Sequence, residues 1–237
     1  MKFGITQPFD CSYLATEQEQ LLVYAEKDKH IAARYGQLIQ AGFRRSGEQI
    51  YRPHCPACNA CQSIRVRVKD FAPSKSQRRL LKRNQEFTSR LVHSPNDDYY
   101  RLYERYIIER HADGTMYPPS RQQFESFVLC SWKDPIFIEA YKDDLLIAVA
   151  VTDDINDGHH HQAFSALYTF FHPEFSQFSL GSWMILQQLQ HAFRADKDYL
   201  YLGYQIDECN KMNYKRKFTP HERFVHSKWQ IDHKDSF

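Results

Sequence analysis

Cys55, Cys58 and Cys61 lie within seven residues, in "HCPACNAC". Two-residue spacers let neighbouring thiolates converge on one metal ion or cluster. A tetrahedral site needs a fourth ligand. Cys11, in "DCSYL", is the natural one, with His54 in reserve. The spacing therefore predicts a closed, structural site of Cys11, Cys55, Cys58 and Cys61, holding zinc or an iron–sulfur cluster. The alternative is a loop of free thiols. Cys130 and Cys209 have no close partners in sequence and read as small buried hydrophobes.

The next chemistry-bearing stretch is "FAPSKSQRRLLKRNQEF". Ser74 followed by Gln77 fits a capping box and predicts a helix starting at Lys75. At about 100° per residue, Lys75, Arg78, Arg79, Lys82 and Arg83 share an arc of roughly 140°. Leu80, Leu81, Gln77 and Asn84 take the other side. A solvated helix usually mixes signs to gain i,i+4 pairs; this face has no acid. It suits contact with a phosphate backbone. Upstream, Arg65, Arg67 and Lys69 alternate, so a strand would put them on one face.

These groups need a scaffold. The chain has 237 residues, 42% of them hydrophobic and 25% charged, as in an ordinary globular protein with a sizeable core. Its net charge is only +2, yet from Arg65 to Arg90 nine Lys or Arg face Asp70 and Glu86, a local excess of +7. Such a patch points to one localised polyanionic partner. No apolar run approaches a membrane span, and "MKFGITQPFDCSYL" lacks the apolar core of a signal peptide. The expectation is a cytoplasmic protein without a membrane partner, in a compartment where thiols stay reduced.

The elements follow from periodicity. "NDDYYRLYERYIIERH" has a helical period through Tyr99, Leu102, Tyr103, Tyr106 and Ile107. A Gly/Pro loop and a second helix come next. "PIFIEAY-KDD-LLIAVAVTD" reads as a hairpin, with Leu145 to Thr152 as a central strand. "DGHHHQ" (157–162) is a polar loop, and Ala163–Phe171 another strand. A helix opens at Ser179-Leu180-Gly181, with Ile185, Leu186, Leu189, Ala192 and Phe193 on its buried arc. "DYLYLGY" is a strand, "ECNKMNYKRKF" a short helix and "HERFVHSKWQI" a final strand.

This order resembles the GCN5-related acyltransferase fold. The fold class is α+β: a cysteine-bearing N-terminal subdomain (1–70), the basic helix (74–84) as connector, and an acyltransferase-like domain with a splayed mixed sheet (85–237). Acetyl-CoA members of that fold carry a glycine-rich turn before the main helix. "SQFSLGS" lacks its spacing, so no CoA is expected.

"GFRRSGEQIYRPHCPACNACQSIRV", "FAPSKSQRRLLKRN", "RHADGTMYPPS" and "YLGYQIDECNKMNYKRKF" together resemble the arginyl-tRNA–protein transferase family, and within it the bacterial branch, from about Cys11 to Trp229. The resemblance implies transfer of leucine from leucyl-tRNA to the N-terminal Asp or Glu of an acceptor protein, marking it for the N-degron pathway. A CoA-dependent N-acetyltransferase and a non-enzymatic RNA-binding module remain the alternatives.

Under that resemblance the donor is an activated ester and the acceptor an α-amine of pKa about 7.7–8.0. The site must align the two, stabilise an oxyanion and move a proton. The general-base candidates are His111, Asp113, Asp207 and Glu208. The oxyanion candidates are Tyr117, Tyr168, Tyr204 and Gln205. An acidic acceptor calls for a cation, drawn from Arg44, Arg45, Arg110, Lys211, Lys215 and Arg216. The tRNA phosphates would meet Lys75, Arg78, Arg79, Lys82 and Arg83.

Overall fold

The structure, a computed structural model, describes residues 1–26, 30–114, 116–157 and 161–232. The Gly158–His160 part of the polar loop lies outside the described residues. In chain order the elements begin with β1 (Phe3–Ile5), β2 (Phe9–Asp10), β3 (Gln18–Glu19), β4 (Leu21–Tyr24), α1 (Ile31–Gln40), β5 (Arg44–Ser46), β6 (Gln49–Pro53) and β7 (Gln62–Arg67). There follow α2 (Lys75–Arg83), β8 (Phe87–Val92), α3 (Asp98–Arg110), α4 (Arg121–Val128), β9 (Ile136–Lys142), β10 (Leu145–Asn156) and β11 (Gln162–Phe171). α5 (Leu180–Arg194), β12 (Tyr199–Gln205), a 3₁₀ turn (Asn213–Lys217), β13 (His221–Val225) and β14 (Lys228–Ile231) complete the fold.

One eight-stranded mixed sheet dominates, in the order β14-β13-β7-β12-β11-β10-β9-β8. A four-stranded sheet, β1-β4-β6-β5, stands beside it, with α1 between. Tyr35, Leu38 and Ile39 of α1 join Ile50, Ile155, Ala163 and Tyr201 in one apolar cluster. β7 is hydrogen-bonded between β12 and β13. Its inner residues are buried and need partners on both edges. The expected 1–70 segment and the rest of the chain thus share a sheet.

The basic helix forms as its sequence dictates. Ser74 Oγ accepts from the Gln77 amide, and Gln77 Oε1 accepts from the Ser74 amide at 2.8 Å. Gln77 and Asn84 are buried and donate to the Lys217 and Phe178 carbonyls. That docks one face of α2 and leaves Lys75, Arg78, Arg79, Lys82 and Arg83 exposed. The upstream cations behave differently. Arg65 is buried, 2.6 Å from Glu222 and stacked between Tyr199 and Trp229. Arg67 pairs with Asp70, and Lys69 with Asp196 and Asp198. Acids pair with all three, so between Arg65 and Arg83 the cations without an acidic partner among the described residues are those of α2.

Two other expectations need correction. The final strand is a hairpin, β13 and β14, turning through His226 and Ser227 at φ 48 and 62. That conformation suits a two-residue turn but here uses no glycine. On α5, Phe193 is 62% exposed, while Gln188 lies on the buried side. β8 completes the edge beside β9.

The feature that positions the site is a parting of strands. β11 and β12 are parallel and pair only from Ala163↔Tyr199 to Ser165↔Tyr201. Beyond that they diverge. Leu167 bulges out of the β10–β11 ladder, where Val151 faces Tyr168 and Thr152 faces Ala166. The β12–β7 ladder breaks between Tyr201 and Tyr204. Gly203 sits there at φ +82, a conformation that favours glycine, and an added Cβ would come within 3.6 Å of Lys215 Nζ.

Candidate active site

Where β11 and β12 part, a cleft of about 520 Å³ opens. Ala166–Thr169 form one wall and Leu202–Tyr204 the other. Gly181, Ile185 and Gln188 of α5, His111 and Met116 of the loop after α3, and Lys211, Met212, Tyr214 and Lys215 complete it. The volume suits a small ligand or the reactive end of a larger one. Past Ser165 the β11 edge facing β12 has no ladder partner. Backbone N–H and C=O groups there are open to a ligand.

Arg44 and Arg45 are adjacent in sequence but differ in environment. Arg45 makes a two-point bond with Asp153, Nε to Oδ2 and Nη2 to Oδ1, both 2.8 Å. Tyr35 donates to the same carboxylate at 2.8 Å. All charge is matched in that buried group. Arg44 donates to Ser165 Oγ and to the Ile64 and Gly203 carbonyls. Its Nε has no partner, and among the described residues no carboxylate pairs with it. Lys215 is the second buried cation. Its Nζ donates to the Tyr204 carbonyl at 2.6 Å. Burial, then the nearby Arg44 charge, pull its pKa down to about 7. Burial likewise lowers Arg44. The cleft thus holds the Arg44 cation and, close to it, an amine that exchanges between neutral and charged forms near neutral pH, with no carboxylate counter-ion among the described residues; an anionic ligand would draw Lys215 to its charged form.

His111 lines the cleft. Burial, Arg110 and Lys211 lower its pKa, which keeps the imidazole neutral and able to accept a proton. Asp113 is exposed and acts on His111 only through its charge. Tyr168 contributes to the aromatic wall with Tyr106 and Phe127. Burial raises its phenol.

The other sequence candidates are placed elsewhere. Tyr204 lines the cleft, but its hydroxyl is 3.2 Å from the Gly42 and Tyr51 carbonyls. It fastens the N-terminal sheet rather than facing an oxyanion. Gln205 is buried and donates to Asp207. Asp207 is held by Arg223 at 2.7 Å, which keeps its carboxyl below the usual range and removes it as a base. Arg216 stands 3.9 Å from the same carboxylate. Glu208 and Tyr117 are exposed and outside the cleft. Arg110 lies over the Phe171 ring. Arg45 touches the cleft but is neutralised, and so is corrected from a substrate ligand to a structural residue.

The thiols gather behind Tyr51 and Tyr204. Cys55, Cys58 and Cys61 border a second cavity that shares Tyr204 with the cleft. Burial, then the nearby Cys11 and Cys55 thiols, push the Cys61 thiol up to about 12. Among the described residues, however, no three His, Cys, Asp or Glu side chains converge as metal ligands. Cys11, Cys55 and Cys58 all act on Cys61 through their charges, so the four thiols of the expected set lie near one another without being placed as metal ligands.

The cationic helix adjoins the cleft. Arg79 and Arg83 of α2 border a cavity of about 350 Å³ with Ser179, Ser182, Tyr214 and Lys217. Tyr214 also lines the cleft, as does Gly181 next to Ser182. Arg83 donates to Ser179 Oγ at the start of α5. Tyr214 thus lies between the α2 cavity and the cleft.

The family profile described as "Arginine-tRNA-protein transferase, N terminus" matches residues 9–79. The profile for the C terminus of the same family matches residues 98–225. The aspartate/glutamate leucyltransferase of Pseudoalteromonas atlantica is 54% identical over 231 residues, covering 98% of this chain and 97% of that one. Its counterpart from Aeromonas hydrophila is 50% identical over 235 residues, covering 99% and 97%. That from Shewanella oneidensis is 48% identical over 227 residues, covering 96% and 93%. The chain belongs to the arginine-tRNA-protein transferase family.

Proposed function

We propose that the protein transfers leucine from leucyl-tRNA to the α-amine of polypeptides that begin with Asp or Glu, as the names of its relatives indicate. The observation that carries the acceptor side is the buried Arg44 cation beside Lys215, whose amine a carboxylate would draw to its charged form, with no counter-carboxylate among the described residues. An N-terminal acidic side chain supplies that carboxylate.

In this reading the acceptor's neutral amine attacks the ester carbonyl. The carbonyl π electrons move onto oxygen, where unpaired backbone N–H groups of β11 support the oxyanion. His111 takes a proton from the attacking nitrogen. Collapse breaks the ester C–O bond, and the leaving ribose oxygen receives the proton that His111 took, which returns the imidazole to its neutral form. The products are a leucyl amide and free tRNA. Met116, Leu167, Ile185 and Leu202 offer apolar surface for the leucyl side chain. Tyr214, which lines both the cleft and the cavity beside α2, is the ring we assign to stack the terminal adenine.

Transfer of labelled leucine from leucyl-tRNA to peptides beginning with Asp or Glu, but not Met, is the expected result. Labelling of neither acidic peptide by folded protein would remove the reading. Acetyl-CoA binding in such a preparation would favour the acetyltransferase instead.

The binding of tRNA has its own test. Arg78→Glu combined with Arg79→Glu should raise the KM for leucyl-tRNA and leave the melting temperature unchanged. Every phosphate that α2 no longer neutralises should flatten the log–log salt dependence by about 0.7–0.9. Unchanged transfer at low tRNA concentration would contradict a phosphate-binding role for α2.

A further inference from the structure

Gln188 is 1% exposed on the inner side of α5, yet it borders the cleft. Thr152 Oγ1 stands 3.4 Å from Gln188 Oε1 and equally 3.4 Å from the Ala150 carbonyl, its one hydrogen serving either, and Gln188 Nε2 has no partner. A buried donor left unpaired is destabilising. Leucine or methionine would fill the same space without that cost. Thr152 pairs with Ala166, next to Ser165 in the last β11–β12 pair. The amide therefore lies near the apex of the splay, lining the same cleft as the bulged Leu167. The acceptor carboxylate is already matched by Arg44 and Lys215, and the leucyl side chain is apolar. The remaining strong hydrogen-bond acceptor at that depth is the ester carbonyl oxygen of the donor.

We infer that Gln188 Nε2 donates to this oxygen, more strongly as it becomes the oxyanion, which makes Gln188 a catalytic residue and Thr152 its positioning residue. The inference deepens the transferase reading above and rests on it. The proton on Nε2 is not transferred; it stays on the amide while the carbonyl electrons move to oxygen and return to expel the ribose oxygen.

The test is single-turnover and steady-state leucyl transfer to an Asp-initiated peptide by wild type, Gln188→Leu, Gln188→Met and Thr152→Val. Thermal melting of each variant establishes folding, and two apolar replacements guard against one failing to fold. Loss of one preorganised oxyanion donor is worth about 10²–10³ in kcat. Both Gln188 variants should fall by that factor, with KM for tRNA and peptide within about twofold of wild type, as for an interaction made in the transition state. Thr152→Val, which only loosens the amide, should lose about tenfold in kcat. A folded Gln188→Leu or Gln188→Met with kcat within about threefold of wild type would overturn the inference, as would a loss confined to KM. Failure of wild type itself to transfer leucine would instead overturn the reading on which the inference rests.

Discussion

Arg44→Met should lower kcat/KM for Asp-initiated peptides by about 10²–10³-fold, the cost of truncating one partner of a buried, hydrogen-bonded charge pair. The informative quantity is a ratio. Wild type should prefer an Asp peptide strongly over its Asn counterpart, because Arg44 and Lys215 together await a carboxylate. In Arg44→Met that preference should collapse to within a few-fold. A ratio of rates on one preparation is independent of the fraction folded. It therefore separates recognition from the structural effect of removing the bonds to Ser165, Ile64 and Gly203. An unchanged Asp/Asn ratio would show that the carboxylate is read elsewhere.

The neighbouring arginine should behave in the opposite way. Asp153→Ala leaves Arg45 charged, buried and unpaired, and also removes the acceptor of Tyr35. Breaking a buried pair from one side costs about 3–5 kcal/mol, a large part of a typical domain's stability. Urea denaturation should reveal a loss of that size. Replacing both partners by apolar residues, Arg45→Met with Asp153→Leu, should restore most of it. A loss under about 1 kcal/mol in Asp153→Ala would mean that the pair does not hold β5 to β10.

The contrast marks how far the sequence could be read. Arg44 and Arg45 are indistinguishable in "GFRRSG", because what separates them is Asp153, 108 residues from Arg45. The basic helix was legible because its signals are local: a capping box, a cationic arc and two leucines. The α3 face, Tyr99 through Ile107, was legible from period alone. Arg65 and Lys69 misled for the same reason that Arg45 did, since their counter-charges arrive from β13 and the turn before β12. The small sheet of β1, β4, β5 and β6 left little trace, as its strands are three to five residues long and carry no regular alternation.

The site followed the same rule. His111 and Lys215 fall in the cleft, whereas Asp207 and Gln205 are tied to each other and Asp207 to Arg223. Nothing local told these groups apart. Gln188 was masked by its setting, a polar residue within "WMILQQLQHAF" on a helix read mainly for its apolar arc. Its signal was a glutamine on the inward face, visible only once the rotation of α5 was fixed. The parting of β11 and β12, which creates the cleft, is a property of pairing that no single strand encodes.

The most direct measurement is a matched transfer assay on the folded protein, with leucyl-tRNA and arginyl-tRNA as donors and peptides beginning with Asp, Glu, Asn and Met as acceptors. Leucine should appear on the Asp and Glu peptides, with little on Asn, none on Met and little arginine on any. Equal labelling of Asp and Asn peptides would contradict the role given to Arg44 and Lys215, and no tRNA-dependent labelling at all would contradict the cleft as an aminoacyl-transfer site.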